Sequence, residues 1–146
     1  MKIAIGSDHA GFEVKEELKR TLEREGHELV DVGTDSTESC DYPDFAGKVA
    51  RAVAAGEVDR GVLVCGTGIG MCITANRVPG VRAALVTDAF TSEMSRLHND
   101  ANVFCAGARV LSVDMIEDCL RLWMKTAYEG GRHDRRVGKI EEARNG

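Results

Sequence analysis

A chain of 146 residues with 43% hydrophobic and 29% charged side chains is sized for one globular domain around one core. Its formal net charge of -5 argues against a basic face that coats a phosphate backbone, so no nucleic-acid partner is expected. The five cysteines (Cys40, Cys65, Cys72, Cys105, Cys119) are an odd set with no C-x-x-C pair, which fits reduced thiols in the cytoplasm and neither a disulfide framework nor a structural zinc site.

In chain order, residues 2–5 read as a strand that follows no apolar stretch long enough for a signal peptide or a membrane span. Val14, Leu18 and Leu22 then recur at four-residue spacing, so a helix with a solvated charged face is expected up to Gly26. Strand-like runs return at residues 28–32, 61–65, 83–87 and 102–106, each followed by an amphipathic or small-residue stretch. Pro43 suits a first helical turn, with Ala46, Val49, Ala50 and Val53 as its buried stripe; Ser112 suits the N-cap of a later helix lined by Ile116, Leu120 and Trp123. Because Leu63, Val64, Leu85 and Val86 do not alternate cleanly with polar residues, the strands read as buried on both faces. The expectation is one α/β domain over residues 1–146: a doubly wound, Rossmann-like, five-stranded parallel sheet with helices on both faces and a C-terminal extension at 129–146.

Ligands in open parallel sheets bind beyond the carboxyl ends of the strands. Ser7-Asp8-His9-Ala10-Gly11, Cys65 with Gly66-Thr67-Gly68-Ile69-Gly70, His98-Asn99 and Arg109 are therefore expected to approach one edge. The glycine loop lacks the G-x-G-x-x-G dinucleotide spacing, and Met71-Cys72 stands where a Walker loop carries Lys-Ser/Thr. Met71 also occupies the position where a thiol phosphatase needs its arginine. What remains is a thiol beside backbone N–H groups, suited to holding a developing oxyanion while sulfur moves a proton. On its own, Cys65 reads equally well as a small hydrophobe at a strand end.

Among the histidines, His98 is the best acid–base candidate, since imidazole donates and accepts protons near neutral pH; capping a helix C-terminus is its structural alternative. Arg132 and Arg136 are four residues apart and would share a face of a short helix, from which both could grip one phosphate.

Taken together, Ile5-Gly6-Ser7-Asp8-His9-Ala10-Gly11-Phe12, Asp41-Tyr42-Pro43-Asp44, Cys65-Gly66-Thr67-Gly68-Ile69-Gly70-Met71, Ser95-Arg96-Leu97-His98-Asn99 and Gly130-Gly131-Arg132-His133-Asp134-Arg135-Arg136-Val137 resemble, in order, the ribose-5-phosphate isomerase B family, which includes the galactose-6-phosphate isomerase subunits. The resemblance implies interconversion of D-ribose 5-phosphate and D-ribulose 5-phosphate without metal or cofactor, through an enediolate with Cys65 as the base. It implies an oxyanion site at the amides of Gly66, Gly68, Ile69 and Gly70 with Thr67, ring opening by Asp8 and His98, and sugar contacts from Tyr42 and Asn99. Phosphate would be held by His9, Arg109, Arg132 and Arg136. Family members are homodimers or tetramers with the site between subunits, and His98, Asn99 and Arg109 would come from the neighbour. Met71, where another branch has a glutamate base, places the chain in the cysteine branch. The alternatives are a six-carbon substrate, allose 6-phosphate or galactose 6-phosphate, and a non-catalytic phosphosugar-binding module.

Overall fold

Residues of the central strands alternate between two apolar layers, and that alternation fixes the direction in which each strand-end side chain points. The computed structural model describes residues 1–143. Its strands are β1 (Lys2–Ser7), β2 (Glu28–Asp31), β3 (Arg60–Cys65), β4 (Ala83–Leu85) and β5 (Val103–Gly107), all parallel, in the spatial order β2-β1-β3-β5-β4. The helices are α1 (Phe12–Arg24), α2 (Tyr42–Ala54), α3 (Ile69–Ala75), α4 (Ala89–Leu97), α5 (Val113–Lys125) and α6 (Asp134–Glu142), the last preceded by a 3-10 turn at Gly131–His133. The expected five-stranded doubly wound sheet is present. Residues 144–146 of the expected extension lie outside the described residues.

On one face Ile3, Ile5, Val62, Val64, Phe104 and Ala106 pack with Leu18 and Leu22 of α1 and with Ile116, Leu120 and Trp123 of α5. On the other, Ala4, Leu63, Cys65, Val103 and Cys105 pack with Ala46, Val49 and Ala50 of α2 and with Met71 and Ala75 of α3. Cys65 therefore points toward the α2–α3 layer. Burial on both faces holds for the central strands β1, β3 and β5; β2 and β4 are the sheet edges and are more exposed, which corrects the uniform burial expected from their apolar sequences.

Local chemistry sets the helix ends. Pro43 lies in the first turn of α2, and the Ser112 hydroxyl accepts from the Met115 amide at 3.3 Å as the N-cap of α5. Gly26 follows α1 with φ +89°, a left-handed conformation that glycine adopts without a Cβ clash. One expectation fails on α1. Lys15 is fully buried, its Nζ 2.7 and 2.8 Å from the two carboxylate oxygens of Asp31, because β2 brings that acid over the helix. Among the described residues no helix is long and apolar enough to cross a membrane.

Candidate active site

The chain winds outward to β2 on one side of β1 and to β3 on the other, so the loops leaving β1 and β3 flank the point where the winding direction changes. Asp8 lies at the end of β1; its carboxylate accepts from the Gly11 amide at 3.1 Å, and its own amide donates to the Val64 carbonyl at 3.3 Å. Gly11 permits this approach, since a Cβ there would lie 2.5 Å from the Val64 oxygen. His9 is oriented by the Cys40 amide, which donates to Nδ1 at 3.2 Å. The neutral ring therefore carries its proton on Nε2, ready to donate to an anion. This gives the Cys40 loop a role that the sequence alone did not reveal.

Cys65, 5% exposed, ends β3, and its Sγ accepts from the Gly68 amide at 3.1 Å. Gly68 can turn the chain this tightly because it sits at φ +80° with Leu85 and the Ala106 backbone against it. The Ile69 amide donates to the Thr67 hydroxyl at 3.2 Å. Among the described residues no acceptor meets the amides of Gly66, Thr67 and Gly70, so the loop offers these three donors. The amides of Gly68 and Ile69, also expected among the oxyanion donors, are engaged here by Cys65 Sγ and the Thr67 hydroxyl. Tyr42, at the start of α2, lies against Gly70.

Arg109 follows β5. Its amide donates to the Gly66 carbonyl at 2.9 Å, and Nη1 lies 3.4 Å from where a Gly66 Cβ would stand, with Ala10 beside it. It thus joins His9 and Cys65 of its own chain, correcting the expectation that Arg109 comes from a neighbour together with His98 and Asn99. The cause is direct: Arg109 leaves the carboxyl end of β5, whereas His98 precedes the amino end of that strand.

His98 and Asn99 lie at the opposite edge of the sheet, against the expectation that all four groups approach one edge. Two arginines lock their turn. Arg96, 5% exposed, donates to the Ala101 and Thr126 carbonyls and to Asp100 at 3.0 Å. Arg82 donates to the Asn99 and Asp100 carbonyls and pairs with Glu141 of α6 at 2.6 Å. Arg132 and Arg136 are exposed on the segment that packs here: the Glu129 amide donates to Leu97, and His133 stacks on His98 with ring centroids 4.3 Å apart. Sequence reasoning misses Arg82, Arg96, Glu129 and His133, although Arg96 and His133 fall inside segments that carry the family resemblance. A cleft of about 490 Å³ borders Asn99, Arg82 and Glu141 at this edge.

Near the thiol loop, the Cys105 thiol is pushed up by its hydrogen bond with Cys72 and by burial, while that same contact pulls Cys72 down. Cys105 therefore stays protonated inside the α2–α3 layer. Each chain carries Asp8, His9, Tyr42, Cys65, the glycine loop and Arg109 at one edge, and His98, Asn99, Arg132 and Arg136 at the other.

Residues 3–140 match the family model described as Ribose/Galactose Isomerase. The chain is 46% identical to ribose-5-phosphate isomerase B of Escherichia coli, with 99% of both chains covered. Its structure is similar to that of Clostridium thermocellum ribose-5-phosphate isomerase B, with TM-score 0.98, 51% identity and 99% and 98% of the two chains covered. It is also similar to Mycoplasma genitalium ribose-5-phosphate isomerase B with bound ribulose-5-phosphate, with TM-score 0.95, 38% identity and 99% and 96% covered.

Proposed function

The chain belongs to the ribose/galactose isomerase family, and from that membership we propose that it interconverts D-ribose 5-phosphate and D-ribulose 5-phosphate with Cys65 as the base. The observation that carries the role of Cys65 is its place beside the three unengaged amides of Gly66, Thr67 and Gly70. In the open-chain aldose, the Cys65 thiolate takes the proton from carbon 2, and the electron pair moves to the carbonyl oxygen to give the enediolate. The amides hold that oxygen, a contribution of roughly a hundredfold or more in comparable sites. The hydroxyl proton passes from O2 to O1, and the thiol returns its proton to carbon 1. Asp8 opens the ring together with His98, while Tyr42 and Asn99 contact the sugar hydroxyls. His9, Arg109, Arg132 and Arg136 hold the phosphate.

This division of labour requires two copies of the chain, because His98, Asn99, Arg132 and Arg136 sit at the edge opposite Cys65. A homodimer places one copy's amino edge over the other's carboxyl edge. The exposed Ile69, Phe90 and Val110, at 49, 70 and 54%, belong to loops and first turns around the carboxyl edge and suit coverage by a second copy. The protein works in the cytoplasm, in carbohydrate metabolism, as a single domain whose extension supplies phosphate-binding arginines.

The test is isomerisation of ribose 5-phosphate by the purified chain and by Cys65→Ala, with allose 6-phosphate as a six-carbon comparison. The expected result is turnover that prefers the five-carbon sugar and is lost in the variant. Unchanged activity of Cys65→Ala would sink the base assignment, and a higher kcat/KM for the six-carbon sugar would reassign the substrate.

A further inference from the structure

His98, at the C-terminal end of α4, meets two residues of the tail that neither the sheet nor the proposed chemistry requires there. Its Nε2 is 3.9 Å from Oε2 of Glu129, and the Nε2 of His133 is 3.3 Å from that same oxygen. One ligand atom from each of the three residues lies within 4.8 Å of the other two. His133 is 4% exposed, and its Nε2 has no hydrogen-bond partner, since the approach to Glu129 is not aligned as a hydrogen bond. A buried ring nitrogen left in this state is unfavourable unless something engages it.

Two imidazoles and one carboxylate are a donor set that borderline divalent ions such as zinc favour, with a water completing the tetrahedron. Tetrahedral zinc with bonds of about 2.0–2.1 Å separates its ligand atoms by roughly 3.4 Å. The two distances to Glu129 bracket that separation, while the His98 and His133 rings are stacked 18° from parallel, so half-exposed His98 has to turn out of that stack, with exposed Glu129 following, to close the site around the fixed His133.

We infer that His98, Glu129 and His133 bind one divalent transition-metal ion of the zinc class, and that the bound ion silences isomerisation by occupying His98. The inhibitory half rests on the ring-opening role given to His98 above; the binding half does not. The metal is an inhibitor here, so this proposal is compatible with turnover that needs none. Sequence spacing could not reveal the site, because its ligands are separated by 31 and 4 positions and converge only when the tail folds back.

The experiment titrates zinc chloride into chelator-treated protein by calorimetry, alongside Glu129→Gln and His133→Gln, and follows isomerase activity over the same titration. The expected result is one ion per chain, affinity weakened at least about tenfold in each variant, and a wild-type rate that falls as the site fills and returns with chelator. Glu129→Gln should stay active without metal and resist inhibition; being an exposed substitution, it keeps the test sound if His133→Gln fails to fold. No ion bound overturns the site; an ion bound equally well by Glu129→Gln also overturns it and points to the thiols. Filling of the site without loss of rate overturns the inhibitory role; the metal-free activity of His98→Asn then shows whether the assignment of His98 is at fault.

Discussion

The Tyr42 ring rests on the bare Cα of Gly70: a Cβ at Gly70 would lie 2.4 Å from Tyr42 Cε1, closer than real carbon atoms approach. This contact ties the start of α2 to the loop that carries Cys65, and it exists because position 70 has no side chain. Gly70→Ala should displace the exposed Tyr42 ring more readily than the loop backbone, which is held by the Gly68 amide on Cys65 Sγ and the Ile69 amide on the Thr67 hydroxyl. The expected outcome in steady-state kinetics is a KM for ribose 5-phosphate raised several-fold with a smaller change in kcat, and little change in melting temperature. Gly68→Ala should be worse, because it adds a left-handed conformation costing about 1–2 kcal/mol to a clash with the Ala106 backbone. A Gly70→Ala enzyme with unchanged KM would show that Tyr42 does not touch the sugar.

The opposite placement of Cys65 and His98 makes a prediction about mixtures. Cys65→Ala and His98→Asn should each be nearly inactive alone. Refolded together at equal amounts, half of the dimers carry one copy of each, and each such dimer has one site with both groups intact, so about a quarter of wild-type activity returns. No recovery on mixing would place both residues in one chain's site.

Arg109 gives the complementary result, since it sits over Gly66 of its own chain. Arg109→Ala should raise KM for the phosphosugar by about tenfold or more and weaken inhibition by inorganic phosphate, while leaving kcat within a few-fold. Mixing it with Cys65→Ala should not restore KM, because every site with an intact thiol then lacks its own Arg109. Restoration of a low KM would return Arg109 to the neighbouring chain.

Strand periodicity, Pro43, Ser112 and the glycine loop made the layers and the Cys65 side of the site readable in the sequence, because each acts over a few neighbouring residues. The edge occupied by His98 was also readable in principle: in a parallel α/β unit, a residue between a helix and the next strand lies at the amino edge. Chemistry alone groups His98 with Cys65; connectivity separates them. The burial of Lys15 and the His98–Glu129–His133 cluster were not readable, since each depends on a partner brought in by another element. The tail in particular turns at Gly130 and Gly131, both at positive φ, and such turns leave no periodic signal.

Asp31 gives the fold a defined response to acid. Burial alone would raise its carboxyl group, but hydrogen bonds from Lys15 and Lys19 and from the Gly33 amide outweigh that effect and hold it below the usual carboxylate value. A carboxylate whose folded value lies below its unfolded value of about 3.9 contributes stability above that pH and loses it as pH falls through the folded value. Asp31→Asn removes this contribution and leaves the fully buried Lys15 with Glu16, at 3.4 Å, and the face of the Phe12 ring, whose centroid is 5.4 Å away, to offset its charge. The expected cost at pH 7 is about 2 kcal/mol in urea unfolding, measured with matched m-values. As the buffer is taken well below pH 4, the wild type should lose stability faster than Asp31→Asn, and the gap between them should narrow. No gap at pH 7 would mean that the ionised carboxylate is not what holds Lys15 in the core, and that the shape of the side chain suffices.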